Sequence, residues 1–152
     1  MSHVATVELE VKDLGALKEA CERLGLEFAE GMTQYRWYGR HVGDYPLPTG
    51  FTAEDLGSCE HVIRIPNATA DEPKKLPYEV GVTRRRDGRP GYLLLWDFWN
   101  GGNGLEKYVG QDCRKLKVQY ALAVAKRAAQ AKGFRINEQQ REDGSVYLRC
   151  TK

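Results

Sequence analysis

Histidine is scarce, with three in the chain, and methionine scarcer, with two. The four cysteines, Cys21, Cys59, Cys113 and Cys150, stand far apart. None forms the C-x-x-C pair of a zinc ribbon or a thioredoxin-like site. There is no excess of charge of either sign: 23 basic residues face 21 acidic ones, for a formal net charge of +2. That balance removes a global electrostatic pull toward nucleic acid or an anionic membrane. Long apolar runs are missing as well. Even a strongly apolar run such as Tyr92 to Trp96 is far too short to span a bilayer. No leader segment is recognisable, so the thiols are expected to be reduced and the protein cytoplasmic. Internal repeats and low-complexity tracts are also lacking.

What remains is a globular composition, 41% hydrophobic and 29% charged over 152 residues. It suits a single domain over 1–152 with one core. Ala5, Val7, Leu9 and Val11 alternate with Thr6, Glu8, Glu10 and Lys12, the period of a half-buried strand. Asp13 is then placed to cap a helix carried by Leu14, Leu17, Cys21 and Leu24, which Gly25 ends. Residues Leu26 to Tyr38 predict one or two strands. Gly39 to Ser58, with Pro46 and Pro48, reads as an insertion, placed at about 39–60. His61–Ile65 and Tyr78–Arg86 predict strands. Tyr92–Trp99 is the strongest, apolar on both faces and therefore central. Leu105 to Lys132 predicts one long helix. Phe134–Gln140 and Ser145–Cys150 predict a hairpin around Arg141-Glu142-Asp143-Gly144. The fold expected is an α+β ferredoxin-like sandwich: a mostly antiparallel sheet with two helices on one face, plus the long inserted loop.

The opening Met1-Ser2-His3, the Asp13-Leu14-x-Ala16-Leu17 and Leu24-Gly25 pattern, and Tyr78-Glu79-Val80-Gly81-Val82 carry a resemblance. So do Tyr120 with its spaced alanines, Gly133-Phe134, Glu138 and Glu142-Asp143-Gly144-Ser145. Together they resemble the hypothetical chloroplast reading frame family of small plastid, cyanobacterial and bacterial proteins, a domain of unknown function. The resemblance covers both ends and the central strand. It departs at Gly39–Ser58 and Trp96–Gly104. The family brings no catalytic residues to transfer. Its bacterial members resemble accessory proteins encoded with AAA-type ATPases, which implies a protein partner of that kind.

Four constellations bear on chemistry. Cys59-Glu60-His61, with His41, offers soft and borderline ligands, but one close pair is a weak metal signal; no metal and no cofactor are expected. Gly101-Gly102-Asn103-Gly104 lacks the Gly-Lys-Ser/Thr of a phosphate loop and reads as a strand-to-helix connection. Arg84, Arg85, Arg86 and Arg89 form a basic tip near aromatics, the raw material for binding single-stranded nucleic acid. In Trp96-Asp97-Phe98-Trp99, alternation sends Asp97 and Trp99 away from Trp96 and Phe98. With the helices on one face, Asp97 and Trp99 would join Tyr35 and Trp37 on the other. That face is either an open aromatic recognition surface or the floor beneath the insertion. With no complete catalytic set present, the expectation is a non-enzymatic module. It would bind a protein or small ligand through Tyr35, Trp37, Asp97 and Trp99. Nucleic acid at the arginine tip is the alternative.

Overall fold

A computed structural model describes residues 3–152 apart from Val42, Asp44 and Gly144, and leaves aside the Glu8 side chain. Met1 and Ser2 of the opening motif and Gly144 of the hairpin signal thus lie outside the described residues, as do the two insertion residues. The chain is α+β. Five antiparallel strands form the main sheet: β1 (Val4–Val11), β2 (Glu27–Glu30), β3 (His61–Arg64), β4 (Val80–Arg84) and β5 (Tyr92–Asp97), in the order β1-β5-β4-β3-β2. The helices are α1 (Leu14–Arg23), the single turn α2 (Glu106–Val109) and α3 (Arg114–Ala131). A separate two-stranded hairpin, β6 (Arg135–Gln140) with β7 (Val146–Thr151), follows α3. Among the described residues no helix is long and apolar enough to cross a membrane.

The local signals explain most of these elements. The Asp13 carboxylate accepts from the Ala16 N–H at 2.9 Å and starts α1. The Leu26 N–H, donating to the Cys21 carbonyl at 2.8 Å, helps close its far end. Leu17, Ala20 and Cys21 from α1 then meet Leu116, Tyr120 and Ala123 from α3 over one face of the sheet. Val7, Val11, Ile63, Val80, Val82, Leu94 and Trp96 supply the sheet side of this core. The Tyr120 hydroxyl accepts from the Lys12 N–H at 3.1 Å and ties α3 to the corner between β1 and α1. Both helices therefore share one side, as their apolar stripes require.

Two expectations change. The helix read over Leu105–Lys132 is interrupted. Gly110 turns the chain, and Asp112 and Cys113 follow with φ of 54° and 57°, so the continuous helix begins at Arg114. Cys113 is buried at the start of α3, not inside a longer helix. The second change is that β5, read to Trp99, ends at Asp97; the strand-to-helix connection that follows contains one left-handed turn, Asn100-Gly101-Gly102-Asn103, with φ between 51° and 65°. Such a turn is costly for most L-residues and is supplied here by asparagine and glycine. A side chain at Gly102 would press on Trp96 and Leu105.

Candidate functional site

The far end of β5 organises the surroundings. Asp97 has no solvent exposure. Its Oδ1 accepts from the backbone N–H of His3 at 3.1 Å and of Trp99 at 3.0 Å. Its Oδ2 accepts from the Tyr38 N–H at 3.1 Å. A buried carboxylate is tolerated when its oxygens are met by donors in this way. Asp97 thus holds together the β1 entry at His3, the segment leading into the insertion at Tyr38 and the turn after β5. It positions the site and does not face a ligand.

Around this anchor lie three exposed aromatic residues. Tyr38, Tyr45 and Trp99 are 48%, 44% and 40% exposed. Tyr38 follows its own backbone to Asp97. Tyr45 meets Phe98 edge-on, with ring centres 5.2 Å apart. The His3 ring lies 5.4 Å from Phe98 and 5.5 Å from Trp99. Beneath Phe98 is the buried Trp96, at 6.4 Å. A cavity of about 320 Å³ opens here, lined by Ala5, Thr6 and Val7 of β1 and by Tyr45, Trp96 and Phe98. Asp112 and Lys117 bring opposite charges to it from the start of α3. A second, more open cavity of about 360 Å³ lies across β1, lined by Thr6, Val7, Leu9, Glu10, Arg85 and Leu93.

The open aromatic face expected at Tyr35, Trp37, Asp97 and Trp99 is corrected by this geometry. Tyr35 is 4% exposed and belongs, with Val4, Leu56, Val62 and Leu95, to a second core beneath the insertion. Its ring occupies the space a side chain at Gly81 would need, so the glycine admits the tyrosine to the sheet. Burial pushes the Tyr35 hydroxyl up to about 12. Trp37 packs against the same core, its Nε1 over Gly57. Between them, the Arg36 N–H donates to Glu79 Oε1 at 2.7 Å, and the Glu79 N–H donates to the Arg36 carbonyl at 2.9 Å. The insertion is therefore fastened over much of the face opposite the helices. Of the four residues, Trp99 alone keeps a largely accessible ring.

The arginine tip is engaged within the chain. Arg85 pairs with Asp87 at 2.6 Å, which holds the Asp87 carboxyl down at about 2. Arg86 pairs with Asp55 at 3.0 Å and lies over the Phe51 ring at 4.4 Å. Arg89 approaches Glu10 at 3.7 Å, and Arg84 sits 5.8 Å from the Tyr92 ring centre.

Cys59 and His61 do not face each other. Cys59 packs beneath the insertion, and burial pushes its thiol up to about 12. His61 lies on the helix side between Phe28 and Tyr92, its Nδ1 accepting from the Gly31 N–H at 3.2 Å. The spacing argument fails because Cys59 precedes the strand and does not share its alternation. Among the described residues no three His, Cys, Asp or Glu side chains gather as a metal group.

The left-handed turn makes no phosphate cradle either. Its Gly101 and Gly102 N–H groups donate to the Phe98 and Trp99 carbonyls. Asn103 Nδ2 donates to the Lys74 and Leu76 carbonyls, and the Gly102 carbonyl accepts from the Tyr78 N–H. The turn anchors the segment that leads into β4.

Sequence reasoning missed Tyr45, His3, Asp112 and Lys117 as neighbours of Trp96 and Phe98. Tyr45 lies in the insertion, where no periodicity points a side chain anywhere. Asp112 and Lys117 reach the cavity only because the chain breaks at Gly110–Cys113. In comparison with known proteins, no family model, no curated protein and no solved structure matches the chain.

Proposed function

We propose that the chain is a non-enzymatic binding module that engages a protein partner through the aromatic cluster at the end of β5. One observation carries this reading. Three of the four exposed aromatic residues among the described residues lie here: Tyr38 and Trp99 are tied by their backbone N–H groups to Asp97, and the Tyr45 ring packs on Phe98. Exposed aromatic residues on a hydrogen-bonded frame, one of them, Tyr45, lining a cavity, suit recognition. Three of the four thiols are poor nucleophiles. Burial pushes Cys21, Cys59 and Cys113 each up to about 12, where the reactive thiolate is scarce. Arg84, Arg85, Arg86 and Arg89 make a weaker nucleic-acid surface than their number suggests, because acidic or aromatic neighbours already engage them.

An AAA-type ATPase, implied by the family resemblance, is the first partner to test. We also regard the fold as an altered ferredoxin-like sandwich. The one-sided helices and the β1-α1-β2 crossover support that, while β6 stays outside the sheet. The test is recovery of a defined partner by the wild-type chain and by Trp99→Ala, Tyr45→Ala and Tyr147→Ala. Loss with the first two and retention with Tyr147→Ala, on the distant hairpin, is the expected result. Equal recovery by all of them overturns the assignment.

A further inference from the structure

The first half of β1 is an open sheet edge. β1 ends the strand order, with β5 on one side and no strand on the other among the described residues. In an antiparallel ladder, pairs that exchange hydrogen bonds alternate with pairs that do not. The Phe98 N–H donates to the His3 carbonyl. The pairs Ala5–Trp96 and Val7–Leu94 are then the bonded ones, and Val4 and Thr6 turn their N–H and C=O groups outward. Between Val7 and Val11 the register shifts, an irregularity of the kind that protects an edge. Val4-Ala5-Thr6-Val7 precedes it and has no charge, no proline and strong strand preference.

Both cavities meet at this edge. Thr6 and Val7 line each of them. The first lies on the helix side with Trp96. The second straddles the edge: Val7 and Leu9 line it from the helix-side core, and Thr6 and Leu93 from the other face, where Thr6 pairs with Leu95 and Leu93 with Thr83. A strand added beside β1 would point alternate side chains to opposite faces, one toward the Trp96 cavity and the next toward Thr6 and Leu93. The topology leaves the place unfilled. In a β-α-β-β-α-β sandwich the strand after the second helix returns beside the first strand. Here that strand, β6, pairs with β7 outside the sheet. Asp112 and Lys117 flank the helix-side cavity, and among the described residues neither forms an ion pair.

We infer that β1 accepts an extended segment of a partner protein as a sixth strand along Val4–Val7. One apolar side chain of that segment, aromatic or long aliphatic, seats against Tyr45, Trp96 and Phe98. Its neighbour rests on Thr6 and Leu93, and Asp112 and Lys117 select for polar groups of either charge beside the first. This rests on reading the chain as a binding module and names its mode of engagement.

The test is selection of random twelve-residue peptides on phage against the full chain, followed by titration and amide exchange with the enriched peptide. The expected peptide alternates apolar and polar residues and slows exchange of the Thr6 N–H about tenfold or more. Thr6→Pro deletes an outward N–H without removing a ladder bond, a position where an edge strand tolerates proline. It should weaken binding about tenfold, or 1.4 kcal/mol. The exchange measurement on the wild-type chain decides the matter even where Thr6→Pro does not fold. A peptide that binds without protecting the Thr6 N–H, and is lost with Trp99→Ala, overturns strand addition while leaving the aromatic cluster as the binding surface. No enriched peptide, or a dimer of this chain that protects the Thr6 N–H, also overturns it.

Discussion

Replacing Asp97 with asparagine isolates the carboxylate that joins three segments around the site. Aspartate offers two equivalent acceptors, and here they receive three backbone N–H groups at 3.0 to 3.1 Å. A carboxamide has one acceptor. With its oxygen in the Oδ1 position it keeps the His3 and Trp99 donors, but turns its NH₂ toward the Tyr38 N–H, donor against donor. Flipped, it keeps Tyr38 and loses the other two. The first arrangement costs one hydrogen bond to an ion and leaves a buried donor unmet. Together these amount to about 2–4 kcal/mol. For a chain of this size that lowers the thermal midpoint by about 5–15 °C. Urea unfolding of Asp97→Asn should show the loss as a shifted midpoint at unchanged slope. Amide exchange should accelerate at Tyr38 more than at Trp99. Asp97→Ala, which leaves all three donors unmet, should be worse. An Asp97→Asn chain within about 0.5 kcal/mol of wild type, with Tyr38 exchange unmoved, would refute the account.

Three further outcomes follow from the packing. Gly81→Ala drives a methyl into the Tyr35 ring and should cost about 1–3 kcal/mol in urea unfolding; a neutral result would show that Tyr35 is not seated on β4. Glu138 joins the hairpin to both long helices, accepting from Arg23 at 2.8 Å and facing Lys126 at 3.1 Å. These cations hold its carboxyl at about 2, below the ordinary 4.5. Because the folded value is depressed, its contribution is present above the unfolded value and is lost as pH falls from about 4.5 toward 2. Glu138→Gln should therefore flatten the pH dependence of stability in that window; curves of equal slope would contradict the assignment. Finally, Cys150 is exposed, whereas Cys21 and Cys113 are buried and Cys59 is half-buried. A thiol reagent should label one site quickly in the native chain, Cys150→Ser should abolish that phase, and a fast phase that survives would point to opening around another cysteine.

The first β-α unit was legible in the residues themselves. Alternation over Val4–Val11, a cap at Asp13 and a glycine at Gly25 are local signals, and each acts within a few residues of its own position. The same holds for β5, a short run apolar on both faces, and for the terminal hairpin, set by its turn residues. The amphipathic stripes of α1 and α3 also required a shared side of the sheet.

Other features depended on contacts between residues far apart in the chain. Whether Tyr35 is a binding residue or core turns on Gly81, forty-six positions later, which leaves the room its ring fills. Asp97 looks like an exposed polar residue beside tryptophans until His3 and Tyr38 bring their N–H groups to it. The arginine tip reads as free charge until Asp55 and Glu10 fold against it. The amino-acid sequence thus determined the period and polarity of each segment. Tertiary structure decided which polar groups were already partnered and which edge was left open, because hydrogen bonding and burial are settled between segments and local periodicity does not encode them.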